Sequence, residues 1–260
     1  LIPVVDHNNR IIDVLVWDKL FKKKPKSSKT LAGTSVVIMA GGEGTRMEPF
    51  TKILPKPLVP IHDKPIMQHI IDRFVKYGVN DFYFSINYKR EIIKSYFKDI
   101  KPKYKYHFIE EDKPLGTAGS LSLIVDHFKD PFFLTNCDII VDVDYENLLS
   151  FHKSNNFDMT LVASSKEYII PYGTCEINKE GYLSQIKEKP KFNFLVNTGL
   201  YVINPDIIKL IPNNKFYHIT QLMKDAKKIR KKIGVFPIDE ISWTDVGQWA
   251  EFKKAIEKFK

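Results

Sequence analysis

Over most of its length, the sequence alternates between short apolar runs and longer amphipathic segments. The run SVVIMA at 35–40 is apolar throughout, which is typical of a strand that is covered on both faces. The segment 63–77 places Ile66, Ile70 and Phe74 on one helical face. Strands that alternate with helices in this way usually pair in parallel, with helices packed on both faces of the sheet. The chain is therefore expected to fold around such a sheet.

The same alternation continues along the chain. Further strands are predicted at 81–88, 106–110, 131–136, 158–164 and 233–238. Further helices are predicted at 90–99, 117–128, 145–152, 219–231 and 247–259. After Ser165 the pattern changes to short strands, at 173–178, 181–190 and 195–204. The predicted fold class is therefore α/β, a Rossmann-like, doubly wound mixed sheet with a smaller antiparallel layer.

Residues 1–21 form a separate piece in the sequence pattern. The runs LIPVVD and IIDVLVW read as two short strands separated by the turn residues HNNR. The stretch KKKPKSSKT at 22–30 contains no apolar residue, and its proline and serines are typical of a linker. The predicted organisation is a small N-terminal piece at 1–21, a linker at 22–32 and a main domain at 33–260.

The charge balance bears on which partners the protein can have. The 260 residues include 40 basic and 31 acidic ones, for a net charge of +9. Only five of the 40 cations are arginine, and most of the lysines are scattered. Base readout and bidentate phosphate contacts favour arginine, so this composition argues against a nucleic-acid partner. It is typical of a solvated, lysine-rich surface, and a basic face that attracts small phosphorylated substrates is the alternative.

Other features bear on the cellular compartment. No run of about 18 apolar residues is present, so neither a membrane-spanning helix nor a membrane partner is expected. Residues 1–20 lack the charged start, apolar core and cleavage site of a signal peptide. The two cysteines, Cys137 and Cys175, cannot build a disulfide framework, which indicates a reducing compartment. A cytoplasmic location is therefore expected.

The strongest chemical signal follows the first apolar run of the main domain. Glycines stand at positions 41, 42 and 44, where they let the backbone approach a ligand and direct N–H groups toward it. Their spacing matches neither the dinucleotide motif nor the Walker motif. Arg46 and Lys56 add two cations beside this loop. Together these residues predict a site for a multiply charged anion such as a triphosphate.

The string GGEGTRMEPFTKILPKPLVP at 41–60 closely resembles the signature of the sugar-1-phosphate nucleotidyltransferases, and the resemblance extends over about 33–260. In that family a sugar phosphate oxygen attacks the α-phosphorus of a nucleoside triphosphate, and pyrophosphate leaves. The resemblance implies that Arg46 stabilises the leaving pyrophosphate and that Lys56 binds phosphate. It also implies nucleotide contacts by Ala40, Gly41, Gly42, Gly44 and Thr45.

A second segment, EEDKPLGTAGSL at 110–121, resembles the base-binding loop of this family, notably as found in mannose-1-phosphate guanylyltransferases. The resemblance implies that Glu111 and Gly116 bind the nucleotide. An ionised carboxylate accepts hydrogen bonds but donates none. Guanine offers two adjacent donors, whereas uracil and thymine offer one donor between two acceptors, so GTP is the predicted substrate. Glu110 is an equally charged neighbour, so a register shift of one residue stays open.

The strand at 131–136 leads into Asp138, at the kind of strand end where open α/β sheets place ligands. A carboxylate there suits Mg²⁺. The family usually has Asn-Gly-Asp at this point, so Cys137 is a departure. The segment SWTDVGQW resembles a family segment that supplies a second carboxylate, here Asp245. The resemblance thus implies Mg²⁺ held by Asp138 and Asp245, and a catalytic set of Arg46, Lys56, Asp138 and Asp245.

Three later matches point to the sugar phosphate. The pair Tyr172–Gly173 resembles the family's glycine contact to the sugar. The segment IKEKP resembles its Glu-Lys-Pro motif, which implies that Glu188 accepts from sugar hydroxyls and that Lys189 pairs with the sugar phosphate. The segment NTGLY supplies Asn197 for hydroxyl contacts. The smaller antiparallel layer is therefore expected to bind the sugar phosphate.

Residues 1–21 resemble the closing strands of a CBS module, although the usual ribose contact is not clear in them. A CBS module fused to such a domain resembles enzymes of legionaminic acid pathways, which couple GTP with glucosamine-1-phosphate. The predicted acceptor is therefore glucosamine-1-phosphate. A mannose-1-phosphate guanylyltransferase, another NDP-hexose pyrophosphorylase and a non-catalytic, nucleotide-sensing regulatory subunit stay open as alternatives. A homodimer is also left open.

Overall fold

The computed structural model describes residues 2–5, 10–15 and 30–259. Within the first two ranges, the strands Ile2–Val5 and Ile11–Leu15 pair antiparallel, which confirms the two short strands expected in the N-terminal piece. Positions 22–29 of the predicted linker lie outside the described residues. The division into a CBS remnant, a linker and a main domain stays a prediction.

The described strands and helices follow the predicted alternation. The strands are β1 (Ile2–Val5), β2 (Ile11–Leu15), β3 (Ser35–Met39), β4 (Pro60–Ile61), β5 (Lys64–Pro65), β6 (Asp81–Ile86), β7 (Lys105–Glu110), β8 (Phe132–Asn136), β9 (Ile139–Val141), β10 (Met159–Ile169), β11 (Thr174–Ile177), β12 (Leu183–Lys187), β13 (Lys191–Ile203), β14 (Ile233–Ile238) and β15 (Trp243–Asp245). The helices are α1 (Ile66–Val75), α2 (Arg90–Ile100), α3 (Tyr145–Ser154), α4 (Pro205–Ile208), α5 (Ile219–Lys228) and α6 (Trp249–Lys258). None of the helices in the described ranges combines the length and the hydropathy that crossing a membrane requires.

The central sheet contains seven strands in the order β14-β10-β13-β8-β3-β6-β7. Strands β8, β3, β6 and β7 pair in parallel, and so do β10 and β14. Strand β13 lies between these two groups and is antiparallel to both of its neighbours. This arrangement confirms the predicted α/β fold with a mixed sheet.

Both faces of the sheet are covered, as the apolar run at 35–40 predicts. In β3, Val36 and Ile38 belong to one buried cluster and Val37 to the other. The first cluster includes Phe74 of α1, and the second includes Leu222 of α5. Since side chains alternate across a strand, an apolar run of this kind fills two cores at once. The carboxyl end of β3 is thereby fixed where the glycine-rich loop begins.

The antiparallel layer differs from the prediction in one respect. The segment 195–204 was expected within that layer, but the structure places it in β13, whose C-terminal half pairs with β8 in the central sheet. Its N-terminal half continues beyond the central sheet, paired with the end of β10. Strand β13 spans both parts because its final residues are apolar and buried. We call 166–169, 174–177, 183–187 and 191–195 the projecting layer.

The helix expected at 117–128 is also shorter than predicted. Only Gly119–Ile124 is helical, as a 3₁₀ helix. The N–H groups of Ala118 and Gly119 both donate to the carbonyl of Tyr217, at 3.0 and 3.1 Å. These bonds to a distant segment hold the start of 117–128 in a non-helical path, and the helical periodicity of the sequence does not reveal them.

Candidate active site

The glycine-rich loop after β3 folds back on itself. Gly44 has a φ of +70°, and a Cβ built there would lie 3.0 Å from both Lys56 Cβ and Thr51 Cγ2. The Thr51 hydroxyl donates to the Gly44 carbonyl at 3.0 Å. Only glycine adopts this conformation with so little space beside it. The close approach fixes Lys56 against the start of the loop.

Two aromatic side chains hold the same loop from outside. The Tyr88 hydroxyl donates to the Thr51 carbonyl at 3.1 Å. The Trp249 Nε1–H donates to the Glu48 carbonyl at 2.9 Å. The loop is therefore anchored both by the segment after β6 and by α6. Arg46 precedes both anchored positions in the loop and remains largely exposed at the rim.

Asp138 lies between β8 and β9 and meets both cations of the loop. Lys56 is 6% exposed, and its Nζ lies 2.5 Å from Asp138 Oδ2. The Arg46 guanidinium lies 3.9 Å from the same oxygen. A charge-assisted bond to a buried lysine orients the carboxylate, whereas the longer, exposed pair with Arg46 adds little. The three predicted catalytic residues are thus brought together.

Asp245 joins them through a two-stranded ribbon that the sequence analysis did not predict. Strands β9 and β15 pair antiparallel, with Asp245 opposite Ile139. The Val246 N–H donates to the Asp138 carbonyl at 2.9 Å, which ties the two aspartate segments together. The N-cap of α6 is Gln248, so capping this helix does not account for Asp245.

The space around Gly247 shows whether Asp138 and Asp245 could hold a metal ion together. A Cβ built at Gly247 would lie 2.8 Å from Asp138 Oδ2, 2.9 Å from Asp245 Oδ1 and 3.1 Å from Lys56 Nζ. Two carboxylate oxygens therefore converge on a place that only glycine leaves open. Mg²⁺ is commonly held by one or two carboxylates plus substrate phosphates, so these residues fit it. Within the described ranges, no group of three or more His, Cys, Asp or Glu side chains could hold a metal by itself.

A cavity of about 420 Å³ opens beside this cluster at the carboxyl ends of the parallel strands. It is lined by Met39, Gly41, Gly42, Gly44, Thr45, Arg46, Lys56, Glu111, Pro114, Gly116, Thr117, Asn136, Cys137, Asp138 and Phe216. Most of the predicted nucleotide-binding residues are in this set. Ala40 is not, because it is buried and its N–H donates to the Ser85 carbonyl at 2.8 Å.

The structure resolves which of two neighbouring glutamates faces the cavity. Glu111 is buried in the lining; its Oε1 accepts from the Ser85 hydroxyl, and its Oε2 accepts from the Leu115 N–H at 2.9 Å. Glu110 lies outside the cavity lining, and its carboxylate lies 2.8 Å from Lys94 Nζ. The hydrogen bond from Lys94 lowers the pKa of the Glu110 carboxyl. Glu111 is therefore the carboxylate available to a ligand in the cavity.

The glycines of the second loop have a role that the sequence analysis missed. A Cβ built at Gly116 would lie 2.8 Å from the Tyr217 carbonyl oxygen, and one at Gly119 would lie 2.4 Å from that of Lys215. These glycines therefore admit a neighbouring chain segment, although Gly116 also lines the cavity. The same packing brings Phe216 to the cavity, and no motif in the sequence points to it.

The four predicted sugar-phosphate residues do not line this cavity. Gly173 and Glu188 are brought together, since a Cβ at Gly173 would lie 3.0 Å from Glu188 Oε2. Lys189 is exposed beside them. Asn197 lies in β13, where its side chain donates to the Tyr201 hydroxyl at 2.8 Å.

A second cavity, of about 380 Å³, is lined by residues of strand β15. Asp245, Trp243 and Lys258 line it, together with Lys166 and Tyr168 of β10. Asp138 thus lines the first cavity and Asp245 the second, while their carboxylates converge at Gly247. None of the four predicted sugar-phosphate residues is among the residues that line this second cavity.

Comparison with known proteins identifies the family. The family model described as Nucleotidyl transferase matches residues 35–260. The chain belongs to this family. Over 228 residues it is 35% identical to a mannose-1-phosphate guanyltransferase from Yarrowia lipolytica, a match that covers 83% of this chain and 61% of the relative. Over 229 residues it is 34% identical to a mannose-1-phosphate guanyltransferase of Saccharomyces cerevisiae, a match that covers 83% of this chain and 62% of the relative. The chain therefore spans about three fifths of the length of these curated relatives.

Solved structures agree with this assignment. HddC from Yersinia pseudotuberculosis matches with a TM-score of 0.68 and 29% identity, over 87% of this chain and 100% of that one. A structure of the same protein complexed with GMP-PN matches with a TM-score of 0.67 and 27% identity, over the same shares of the two chains. These neighbours share the α/β fold described above.

Cys137 forms part of the wall of the first cavity. The side chain is buried, and burial raises the pKa of its thiol to about 12. The thiol is therefore neutral and protonated near pH 7. Its N–H donates to the Met39 carbonyl at 3.2 Å, so the backbone stays aligned with the end of β3. The departure from glycine leaves Asp138 in place.

Proposed function

We propose that this protein transfers the nucleoside monophosphate of GTP to a sugar-1-phosphate, giving a nucleotide sugar and pyrophosphate. The observation that carries this proposal is the convergence of Lys56, Asp138 and Asp245 on Gly247, at the edge of a cavity that begins at a glycine-rich loop. Membership of the nucleotidyl transferase family supports the reaction class. Both cysteines are free, in keeping with our proposal that the protein acts in the reducing cytoplasm.

The chemistry requires positioning and charge neutralisation more than covalent catalysis. A phosphate oxygen of the acceptor attacks the α-phosphorus of GTP, and the bond to the leaving pyrophosphate breaks. Lys56 binds phosphate in a fixed position because Asp138 and the loop hold it. Arg46, at the exposed rim, stabilises the charge that develops on pyrophosphate. When bound by Asp138 and Asp245, Mg²⁺ would offset the negative charge of the phosphates.

The preference for guanine is assigned to Glu111. Its buried carboxylate can accept from N1–H and from the 2-amino group of guanine. Uracil and thymine would present carbonyl oxygens to it, and adenine would present an acceptor at N1. An acceptor of the base that is buried against this carboxylate without a hydrogen bond costs about 1–3 kcal/mol, so GTP is expected to be preferred by about 10- to 100-fold. The GMP-PN complex of a structural neighbour supports a guanine nucleotide.

The proposed acceptor is glucosamine-1-phosphate. This proposal rests on the resemblance of residues 1–21 to a CBS module. Mannose-1-phosphate is the second candidate, favoured by the names of the curated relatives. We assign hydroxyl contacts to Gly173, Glu188 and Asn197, and phosphate binding to Lys189. A purely regulatory, nucleotide-sensing protein would not need an intact set of catalytic residues, and the cluster around Gly247 is complete.

The test is pyrophosphate release over a grid of five nucleoside triphosphates and several sugar-1-phosphates. We expect the highest kcat/KM with GTP and with one of the two hexose phosphates. Glu111→Gln should narrow the gap between GTP and UTP, whereas Glu110→Gln, one residue away but outside the cavity, should not change it. A wild-type enzyme that prefers a pyrimidine triphosphate would contradict the assignment of Glu111. No turnover with any pair would contradict the proposed function.

A further inference from the structure

We propose that Phe216 forms the stacking face of the nucleobase compartment. This inference rests on the proposed function only in taking the ligand of the cavity to be a nucleotide. Phe216 lines the cavity beside Pro114, Gly116 and Thr117. Its side chain is 58% exposed, although it is large and apolar. An aromatic ring at the wall of a cavity offers a flat apolar surface to a planar ligand.

The ring is held in place by its backbone. The N–H of Tyr217 donates to the Leu115 carbonyl at 2.9 Å, and the Tyr217 carbonyl accepts from Ala118 and Gly119. Gly116 and Gly119 leave room for this approach because they lack side chains. The Phe216 ring also meets the ring of His218 edge-on, with centroids 4.7 Å apart. The segment is thus fixed before any ligand binds, which reduces the ordering cost of binding.

Leu115 places this ring in the same compartment as the base-reading carboxylate. Its N–H donates to Glu111 Oε2 at 2.9 Å, while its carbonyl accepts from Tyr217, the neighbour of Phe216. Glu111 can bind the edge of a base, and Phe216 can cover a face. The cations Arg46 and Lys56 belong to the other loop, which meets Asp138. The lining of one cavity therefore combines an aromatic ring and a carboxylate that suit a base with cations that suit phosphates.

The experiment measures equilibrium binding of GTP, UTP, CTP and ATP to the full chain by calorimetry, without sugar phosphate. Phe216→Ala should weaken the binding of the preferred triphosphate by about five-fold or more, since that is the lower end of what a base–aromatic stack contributes. Phe216→Tyr keeps the ring and should stay within about three-fold of wild type. The control is Ile229→Ala, which removes a comparably exposed apolar side chain, 54% exposed, that is not part of the cavity lining. It should bind as wild type does.

The outcomes separate the two proposals. If Phe216→Ala binds the preferred triphosphate as tightly as wild type, or if Phe216→Tyr is as weak as Phe216→Ala, the inference is overturned while the proposed function stands. If pyrophosphate release fails but triphosphates bind and Phe216→Ala weakens them, the proposed function fails and the stacking face stands. If wild type binds no triphosphate, both fail.

Discussion

Side chains around the first cavity are held by short, largely buried contacts, whereas those of the projecting layer face solvent. Lys56 and Glu111 are buried and hydrogen-bonded, but Glu188 and Lys189, beside the projecting layer, are exposed. Several apolar residues of the layer are exposed as well, including Ile177, Leu183 and Ile186. Buried contacts fix functional groups before a ligand arrives, while exposed side chains lose their freedom only on binding. Single substitutions should therefore have larger effects around the cavity.

The largest effect is expected at Lys56. Lys56→Ala removes the cation that holds Asp138, so kcat should fall by about 10²- to 10³-fold. Arg46→Ala should also lower kcat, without loss of stability, because Arg46 is exposed. Steady-state pyrophosphate release, with circular dichroism to confirm folding, measures both. Lys52→Ala is the control, since Lys52 is an exposed lysine of the same loop that does not line the cavity. A folded Lys56→Ala with near-wild-type kcat would contradict the proposed active site.

The next largest effect is a difference in stability between alanine variants at two glycines that both have a positive φ. Gly116 and Gly181 have φ values of +78° and +88°, but only at Gly116 would a Cβ meet a neighbour, the Tyr217 carbonyl oxygen. Both alanine variants carry backbone strain, and Gly116→Ala adds overpacking that typically costs about 1–3 kcal/mol. Urea unfolding should therefore show a lower free energy of unfolding for Gly116→Ala than for Gly181→Ala. Equal values would mean that the contact between 116 and 217 is not part of the stable fold.

Much of the fold could be predicted because a buried strand or helix face spaces its apolar residues regularly along the sequence. The apolar run of β3 and the single apolar face of α1 identify their elements. Strands β9 and β15 were missed because each has three residues, too few to show a period, and their pairing joins segments about a hundred positions apart. They are nevertheless what brings Asp245 to Asp138.

In the site, too, some residues have a local signal in the sequence and others do not. Arg46, Lys56 and Asp138 could be found because charged residues beside glycines or at a strand end have a local chemical meaning. Phe216 could not, since an exposed phenylalanine has no local signature and its position depends on the pairing of Tyr217 with Leu115. Gly247 stood in a recognised segment, but its role becomes visible only once the two aspartates meet around it.

A smaller effect is expected in the exposed region beside the projecting layer. Lys189→Met should raise the KM for the sugar-1-phosphate by about ten-fold, which is the lower range for losing a hydrogen bond to a charged group, while the KM for GTP stays unchanged. Lys187→Met is the matched control, because Lys187 lies in the same segment and faces Glu176 at 3.6 Å. Titrations of each substrate at saturating levels of the other measure the two constants. A rise in the KM for GTP alone would contradict the assignment of Lys189 to the sugar phosphate.

The smallest effect concerns the pH dependence of stability and involves a buried histidine. His152 of α3 is 1% exposed; its Nδ1 lies 2.9 Å from Thr160 Oγ1, and its Nε2 lies 3.3 Å from Asn204 Oδ1. The side-chain amide of Asn204 already donates to the Phe157 carbonyl, so its Oδ1 is left to accept from Nε2–H. The neutral ring can then accept the Thr160 hydroxyl at Nδ1. Burial lowers the pKa of His152, so the folded protein binds this proton less readily than the unfolded chain does.

The sign of the pH dependence follows from this difference. Above the unfolded pKa of about 6.5, the ring is neutral in both states and stability is unaffected; below it, the unfolded chain gains a proton first and stability falls. At pH 5.5, one unit lower, the loss from His152 is at most about 1.4 kcal/mol. Asp72 and Asp158 have lowered carboxyl pKa values and act only at lower pH. Urea unfolding at pH 7.5 and 5.5 should therefore show a smaller change in the free energy of unfolding for His152→Gln, which cannot titrate, than for wild type. Equal changes would mean that His152 binds its proton as readily in the folded protein as in the unfolded chain.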